Sequence, residues 1–164
     1  MALFGPSKKE IEAAEEYILQ KLSKVEILDD LVVTVLENEE PWILNCQGYY
    51  DECKRKVVIG ADSFEILWVS GNHTPDGQPL SEQILGRVDY ANTKSGYMPL
   101  HSMKNSKGEE LVSVGRVVHL WAKIVQERLH AKLPQCKFSD VFQLDGNESR
   151  FYYTVPALTF KDWF

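Results

Sequence analysis

The chain has 164 residues, of which 44% are hydrophobic and 26% are charged, and its formal net charge is −6. This length predicts a single domain over residues 1–164, and this composition excludes a chain that is disordered throughout. Because an acidic chain repels phosphate backbones, we expect no nucleic-acid binding.

Cysteine content and apolar run lengths predict where the protein works. The three cysteines are an odd, sparse set, which suits a reducing compartment better than a disulfide scaffold. The first residues contain no apolar signal region, and no apolar run approaches the ~18 residues of a membrane span. We therefore expect a cytoplasmic protein with no membrane segment.

The first predicted element is a helix that starts at a capping box. The Ser7 side chain can accept a hydrogen bond from a free amide, while Glu10 reaches back. Helical spacing then relates the apolar residues Ile11, Ala14, Ile18, Leu22 and Val25. The pattern predicts that the helix ends between residues 24 and 27.

Residues 31–36 suit two interpretations. Their β-branched density favours a strand. The alternative is that the first helix continues, because Val25, Leu28, Val32 and Val35 keep its spacing. We favour the strand, followed by a turn over residues 37–41 and a second strand over residues 42–46.

Residues 56–60 and 64–69 form a predicted hairpin around the loop 61–63. In the second arm, Phe64, Ile66 and Trp68 lie on one face, and Glu65, Leu67 and Val69 lie on the other. Both faces are therefore largely apolar. Such a strand is typical of the interior of a sheet.

The middle of the chain, residues 71–107, is rich in glycine and proline and predicts a long irregular segment. One short helix is expected from Ser81, with Ile84 and Leu85 buried. A loop of this length inside a compact domain is commonly functional.

A second capping box, Ser106 with Glu109, predicts the start of a long helix that Pro134 ends. Its apolar face consists of Leu111, Val114, Val118, Trp121, Val125 and Leu129. We expect Trp121 to be buried against the sheet. A hairpin of residues 141–144 and 150–155 follows, around a turn at 145–147.

This order of elements predicts an α+β fold: an antiparallel sheet of hairpins packed against two long helices, with a long irregular middle segment.

Signatures of metal, nucleotide and nucleophile chemistry are missing from the sequence. There is no HExxH, GxGxxG or GxxxxGK[ST] motif. His119 and His130 are eleven residues apart, about 16 Å along a helix, which is too far to share an ion. We therefore expect no metal and no cofactor.

Two groups of polar residues are candidate sites. On the second helix, Arg116, His119, Lys123, Gln126 and His130 share one face, which is either a basic patch for an anion or acidic partner or an ordinary solvated face. In the middle segment, a ligand- or partner-binding site is predicted from His73, Asp76, Asp89, Tyr90, Tyr97 and His101.

The sequence supports one main hypothesis and two alternatives. Acidity and paired aromatic residues favour a non-catalytic interaction module that binds a protein partner or self-associates through an acidic, aromatic-bearing face. The first alternative is a small hydrolase or transferase with a His/Asp site in residues 71–106, where His73 or His101 would be the base. The second is a domain that binds a small ligand between sheet and helix.

Overall fold

The computed structural model describes residues 5–25, 31, 34–35, 52–68, 83–92 and 100–156. Within them lie two long α-helices, a short 3-10 helix (Tyr90–Asn92), an antiparallel sheet of six strands and a second sheet of two strands, which confirms the predicted α+β class. In chain order the elements are α1 (Lys8–Leu22), β1 (Glu52–Ile59), β2 (Ser63–Trp68), β3 (Gln83–Asp89), β4 (Met103–Lys104), β5 (Glu110–Val112), α2 (Val114–Lys132), β6 (Lys137–Phe138), β7 (Phe142–Leu144) and β8 (Glu148–Pro156).

Helix α1 begins at the predicted cap, where Ser7 Oγ accepts a hydrogen bond from the amide of Glu10 at 3.2 Å. It ends at Leu22, earlier than predicted. Arg128 of α2 explains this end, because its guanidinium donates to the carbonyl oxygens of Leu22, Ser23 and Val25. A cation bound to the last carbonyl groups satisfies acceptors that would otherwise need a further helical turn.

The strand predicted over residues 31–36 is wrong at the three described positions, because Leu31, Thr34 and Val35 are helical. Leu31 and Val35 are four residues apart, so helical geometry brings both side chains to the same side. Both then lie against Gly86 of β3, where an added Cβ would be 2.6 Å from Val35 Cγ2 and 2.7 Å from Leu31 Cδ1. The turn over 37–41 and the strand over 42–46 lie outside the described residues.

The main sheet has the order β3-β2-β1-β8-β6, and β7 also pairs with β8. The predicted β1–β2 hairpin is confirmed, with Ile59 opposite Phe64. β2 lies between β1 and β3, which confirms its interior position. β1 and β8 form the centre of the sheet, with Val57 opposite Phe151.

Strand β3 replaces the short helix that was predicted from Ser81. Ile84 lies opposite Leu67 of β2 and is 59% exposed, whereas Leu85 packs against the core. The prediction that Ile84 is buried is therefore wrong. The register shifts between Ile66 and Leu67, so Gly86 pairs with the core residue Ile66 while Ile84 pairs with Leu67 on the other face of the sheet. The lack of a side chain at Gly86 lets Leu31 and Val35 approach the strand closely.

Helix α2 begins at Val114, not at the predicted capping box. Ser113 is its cap and accepts a hydrogen bond from the amide of Arg116 at 3.1 Å. The predicted box instead lies in the turn between β4 and β5. There the Asn105 side chain accepts from the amide of Glu109 at 3.0 Å, and Gly108 has φ +79°. Because these side-chain contacts stabilise a turn at residues 105–109, no helix begins there.

The core lies between the main sheet and α2. Trp121 is 0% exposed and lies on the predicted apolar stripe, which confirms the orientation of the helix. The other buried stripe residues are Val118, Val125 and Leu129, and Phe64, Ile66, Phe151 and Val155 face them from the sheet. The C-terminal hairpin is also confirmed, with Gly146 (φ 82°) and Asn147 (φ 63°) in its turn.

Candidate functional site

The structure brings the described members of the middle-segment candidate site to one turn, between β1 and β2. The amide of Tyr90 donates to the carbonyl oxygen of Asp62 at 3.0 Å, and the amide of Leu100 donates to that of Ala61 at 2.7 Å. Asp89 and His101 are the chain neighbours of these two donors. His73, Asp76 and Tyr97 lie outside the described residues, so their part of the site stays a prediction.

Tyr90 is a core residue in this structure. Its side chain is 0% exposed, and its hydroxyl accepts a hydrogen bond from Trp121 Nε1 at 2.9 Å. This bond joins the end of β3 to the centre of α2. The buried Tyr90 ring therefore holds the turn beside Asp89 and His101 in place. It is not accessible to a binding partner.

Asp89 and His101 are exposed and make different contacts. The Asp89 carboxylate accepts from Arg87 Nε at 2.9 Å, and the same guanidinium pairs with Glu65 at 3.0 Å. His101 Nδ1 lies 3.1 Å from the carbonyl oxygen of Ser102. In the described ranges no histidine forms a hydrogen bond or ion pair with a carboxylate, which is the contact that a His/Asp base would use.

The polar face of α2 is divided among three neighbours. Arg116 Nε binds Glu15 of α1 at 2.7 Å, and Gln126 donates to the carbonyl oxygen of Ser139. The His130 ring lies 5.0 Å from that of Phe138. The polar face therefore connects α1 and the C-terminal strands to α2. Lys123 of this face is exposed.

His119 lies at the contact between α2 and the C-terminal hairpin. Its Nδ1 is 3.5 Å from the hydroxyl of Ser149, which is fully buried. Partial burial lowers the pKa of His119, and the positive charges of Lys123 and Arg116 lower it further. A neutral ring at this contact is consistent with a packing role.

A buried polar cluster of Arg55, Cys136 and Tyr153 lies in the core. Burial lowers the pKa of Arg55 to about 10, and it raises the pKa of Cys136 to about 12 and that of Tyr153 as well. At neutral pH the thiol is protonated and is a poor nucleophile. The burial of Arg55 could have been predicted from the sequence. Alternate residues of a strand face the same side, so Arg55 lies on the same buried face as Val57 and Ile59.

Exposed apolar side chains mark two surfaces. We call the first the helix patch: Glu12, Glu16, Tyr17 and Leu19 on the outer side of α1. Tyr17 is 49% exposed and Leu19 is 37% exposed. Glu16 beside them is exposed and takes part in no ion pair with the described residues. The Lys21 ammonium lies 5.4 Å from the centre of the Tyr17 ring. Because residues two apart do not share a helix face, Tyr17 and Leu19 lie on either side of Glu16 around the helix.

We call the second surface the sheet patch: Val58, Phe142, Arg150 and Tyr152. Val58 and Phe142 lie opposite Arg150 on its two neighbouring strands. Arg150 alternates with the buried Ser149 and Phe151, so it points away from the helices. Phe142 is 49% exposed, and the Arg150 guanidinium lies 5.9 Å from the centre of the Tyr152 ring.

Comparison with protein families, with curated proteins and with solved structures finds no match to this chain. Across the described ranges, no group of three or more His, Cys, Asp or Glu side chains is placed to hold a metal ion. No described helix is both long and apolar enough to cross a membrane. The geometry of the chain's own residues is therefore the basis for a functional argument.

Proposed function

We propose that the protein is a non-catalytic, cytoplasmic interaction module that binds a protein partner, or a second copy of itself, through the helix patch. One observation carries the proposal. Helix α1 holds Tyr17 and Leu19 exposed beside acidic residues, while its other side is fastened to the body of the protein.

The contacts that hold α1 against the rest of the protein pre-organise the helix patch. Ala14 and Leu22 are buried in the core, Glu15 binds Arg116, and Arg128 binds the last carbonyl groups of the helix. A helix held at its middle and at its C-terminal end presents its outer side chains in a fixed arrangement. A partner that binds a pre-ordered surface loses less conformational entropy on association.

The composition of the patch suits a protein partner. Tyrosine and leucine supply apolar contact area, and aromatic residues are enriched in interfaces relative to the remaining surface. Carboxylates beside them favour a partner with basic side chains, because complementary charges speed encounter and exclude wrong partners. Since Glu16 lies between Leu19 and Tyr17 around the helix, we infer a partner surface with a basic group at its centre and apolar side chains on both sides of it.

A double variant, Tyr17→Ser with Leu19→Ser, tests the proposal. We expect it to lose the complexes that the wild type forms, as measured by sedimentation velocity of the purified protein and by affinity capture from its native lysate. Its stability should change by no more than about 0.5 kcal/mol per site, because both side chains are exposed.

The matched control is Lys123→Ser with Glu127→Ser, two exposed positions on α2. This variant should keep every complex of the wild type. Complexes that survive the helix-patch variant, or a wild type that forms none by either method, would overturn the proposal.

A further inference from the structure

The turn between β7 and β8 contains an aspartate that is followed directly by a glycine. Asp145, Gly146 and Asn147 form this turn, and all three are exposed. A Cβ built on Gly146 would meet no atom within 4 Å beyond its chain neighbours. Because glycine has no side chain, its amide nitrogen is the least obstructed one that can follow an aspartate. The turn therefore places a carboxyl group beside an accessible amide.

Both groups are without other contacts. Among the described residues, the Asp145 carboxylate has no ion-pair or hydrogen-bond partner. The amide of Gly146 donates to no described acceptor either. A reaction between the two groups therefore does not have to break a hydrogen bond that either of them makes.

Asp89 provides a comparison within the same protein. It is also exposed, yet Arg87 Nε holds its carboxylate at 2.9 Å. The amide of the next residue, Tyr90, donates to the carbonyl oxygen of Asp62 at 3.0 Å, and the Tyr90 side chain is fully buried. At Asp89 the same reaction would have to break both contacts and move a core residue.

We propose that Asp145 and Gly146 are a site of spontaneous covalent modification, at which the aspartate converts to isoaspartate in the folded protein. The Gly146 nitrogen bonds to Cγ of the protonated Asp145 carboxyl group, and the amide proton and the carboxyl hydroxyl leave as water. Addition of water then opens the resulting succinimide ring at the main-chain carbonyl carbon of Asp145. The main chain afterwards runs through Cγ, and the α-carboxyl group becomes the side chain. The mass is unchanged, and no oxidant, reductant or co-reactant other than water takes part.

This conversion changes how the turn contacts α2. A Cβ built on Gly115 would lie 2.9 Å from Gln143 Nε2 and 3.1 Å from Asn147 Oδ1, so the hairpin packs closely on the first turn of α2. Isoaspartate adds a carbon atom to the main chain just before Gly146, which displaces Asn147 relative to Gly115. Since close packing tolerates such shifts poorly, we expect the turn to separate from α2 after conversion.

Ageing of the full-length protein tests the proposal. The folded wild type is kept for several weeks in mildly acidic buffer, well below its unfolding temperature. Peptide mapping separates the isoaspartyl peptide from its isomer of equal mass, and Edman degradation stops at isoaspartate. We expect the isoaspartyl form to accumulate with time at Asp145. The unchanged mass distinguishes it from deamidation of the neighbouring Asn147.

Two substitutions at the exposed position 145 act in opposite directions. Asp145→Glu keeps the charge but would have to close a larger ring, so we expect the isoaspartyl product to be lost. Asp145→Asn keeps the ring size and releases ammonia from a neutral amide, so we expect faster conversion with the mass change of deamidation. Asp140 is the internal control, because it is exposed and is followed by the β-branched Val141. It should remain aspartate, as should Asp89.

Isoaspartate that forms as fast at Asp89 and Asp140 as at Asp145 would overturn the proposal. A folded wild type that stays unmodified would also overturn it, and the same chain unfolded in guanidinium chloride shows whether the hairpin is what protects the pair. Hydrogen exchange of the aged protein checks the structural consequence. We expect faster exchange at the turn and at the start of α2, with none around Trp121. Unchanged exchange at the turn would contradict the predicted separation from α2.

Discussion

Helices α1 and α2 have similar sequence patterns but differ in how much of their surface is buried. Each begins at a serine cap and carries one apolar stripe. Eight of the 19 residues of α2 are buried, against two of the 15 residues of α1. Helix α2 lies directly on the sheet, whereas α1 packs on α2 and β5. The layer in which a helix lies, more than its amphipathic pattern, decides whether it stabilises the fold or offers a surface.

The largest expected effect tests the role of α2 in stability. Trp121→Ala should lower the free energy of unfolding by about 3–5 kcal/mol, because it removes a fully buried indole and its hydrogen bond to Tyr90. Urea unfolding measures the change. Tyr17→Ala is the counterpart on α1 and should cost no more than about 0.5 kcal/mol. Similar losses for the two variants would contradict the division between the helices.

A smaller effect concerns the attachment of α1 to α2. Arg128→Ala should cost about 1–3 kcal/mol, because charged hydrogen bonds to the carbonyl oxygens of Leu22, Ser23 and Val25 are lost. Hydrogen exchange should show faster opening at the end of α1, with the amides of α2 little changed. Arg128→Lys keeps the charge but not the planar donor set, and we expect it to restore only part of the protection. Equal exchange in α1 for all three proteins would show that the arginine is not its attachment.

The smallest effect is the pH dependence that His119 adds. Its pKa in the folded protein is lowered from 6.5, so the unfolded chain takes up the proton first as the pH falls. Its contribution to stability is complete above the unfolded value and decreases as the pH falls through 6.5 towards the folded pKa. Urea unfolding from about pH 8 to about pH 5.5 should show this decrease, and His119→Gln should flatten it. A variant with the slope of the wild type would assign the dependence to other groups.

Local patterns predicted much of the fold. The Ser7 cap, the stripe around Trp121 and the Asp145-Gly146-Asn147 turn depend on interactions within a few residues, and the structure confirms all three. Two other local patterns gave wrong predictions. The box at Ser106 lies in a hairpin turn, because the neighbouring Asn105 side chain binds the amide of Glu109. The expected helix at Ser81 is replaced by strand β3, because the distant strand β2 pairs with it and Gly86 admits Leu31 and Val35.

The candidate site was also predicted only in part. The sequence selected Asp89, Tyr90 and His101 as one polar group, and the structure does bring them to one turn. Composition gave no sign that Tyr90 is buried against Trp121 while the other two are exposed, since all three lie in a segment rich in turn residues. Burial depends on what packs over a residue, and the residues that do so are far away in the chain.

The sequence by itself determined the α+β class, the two amphipathic helices and the hairpins, because caps, spacing and turn residues act over short distances along the chain. Only the tertiary structure decided which helix lies on the sheet and which exposes Tyr17 and Leu19. It also decided that Arg150 and Phe142 point away from both helices. These outcomes depend on the order of strands and layers, which follows from the burial of apolar surface across the whole chain and from no local pattern.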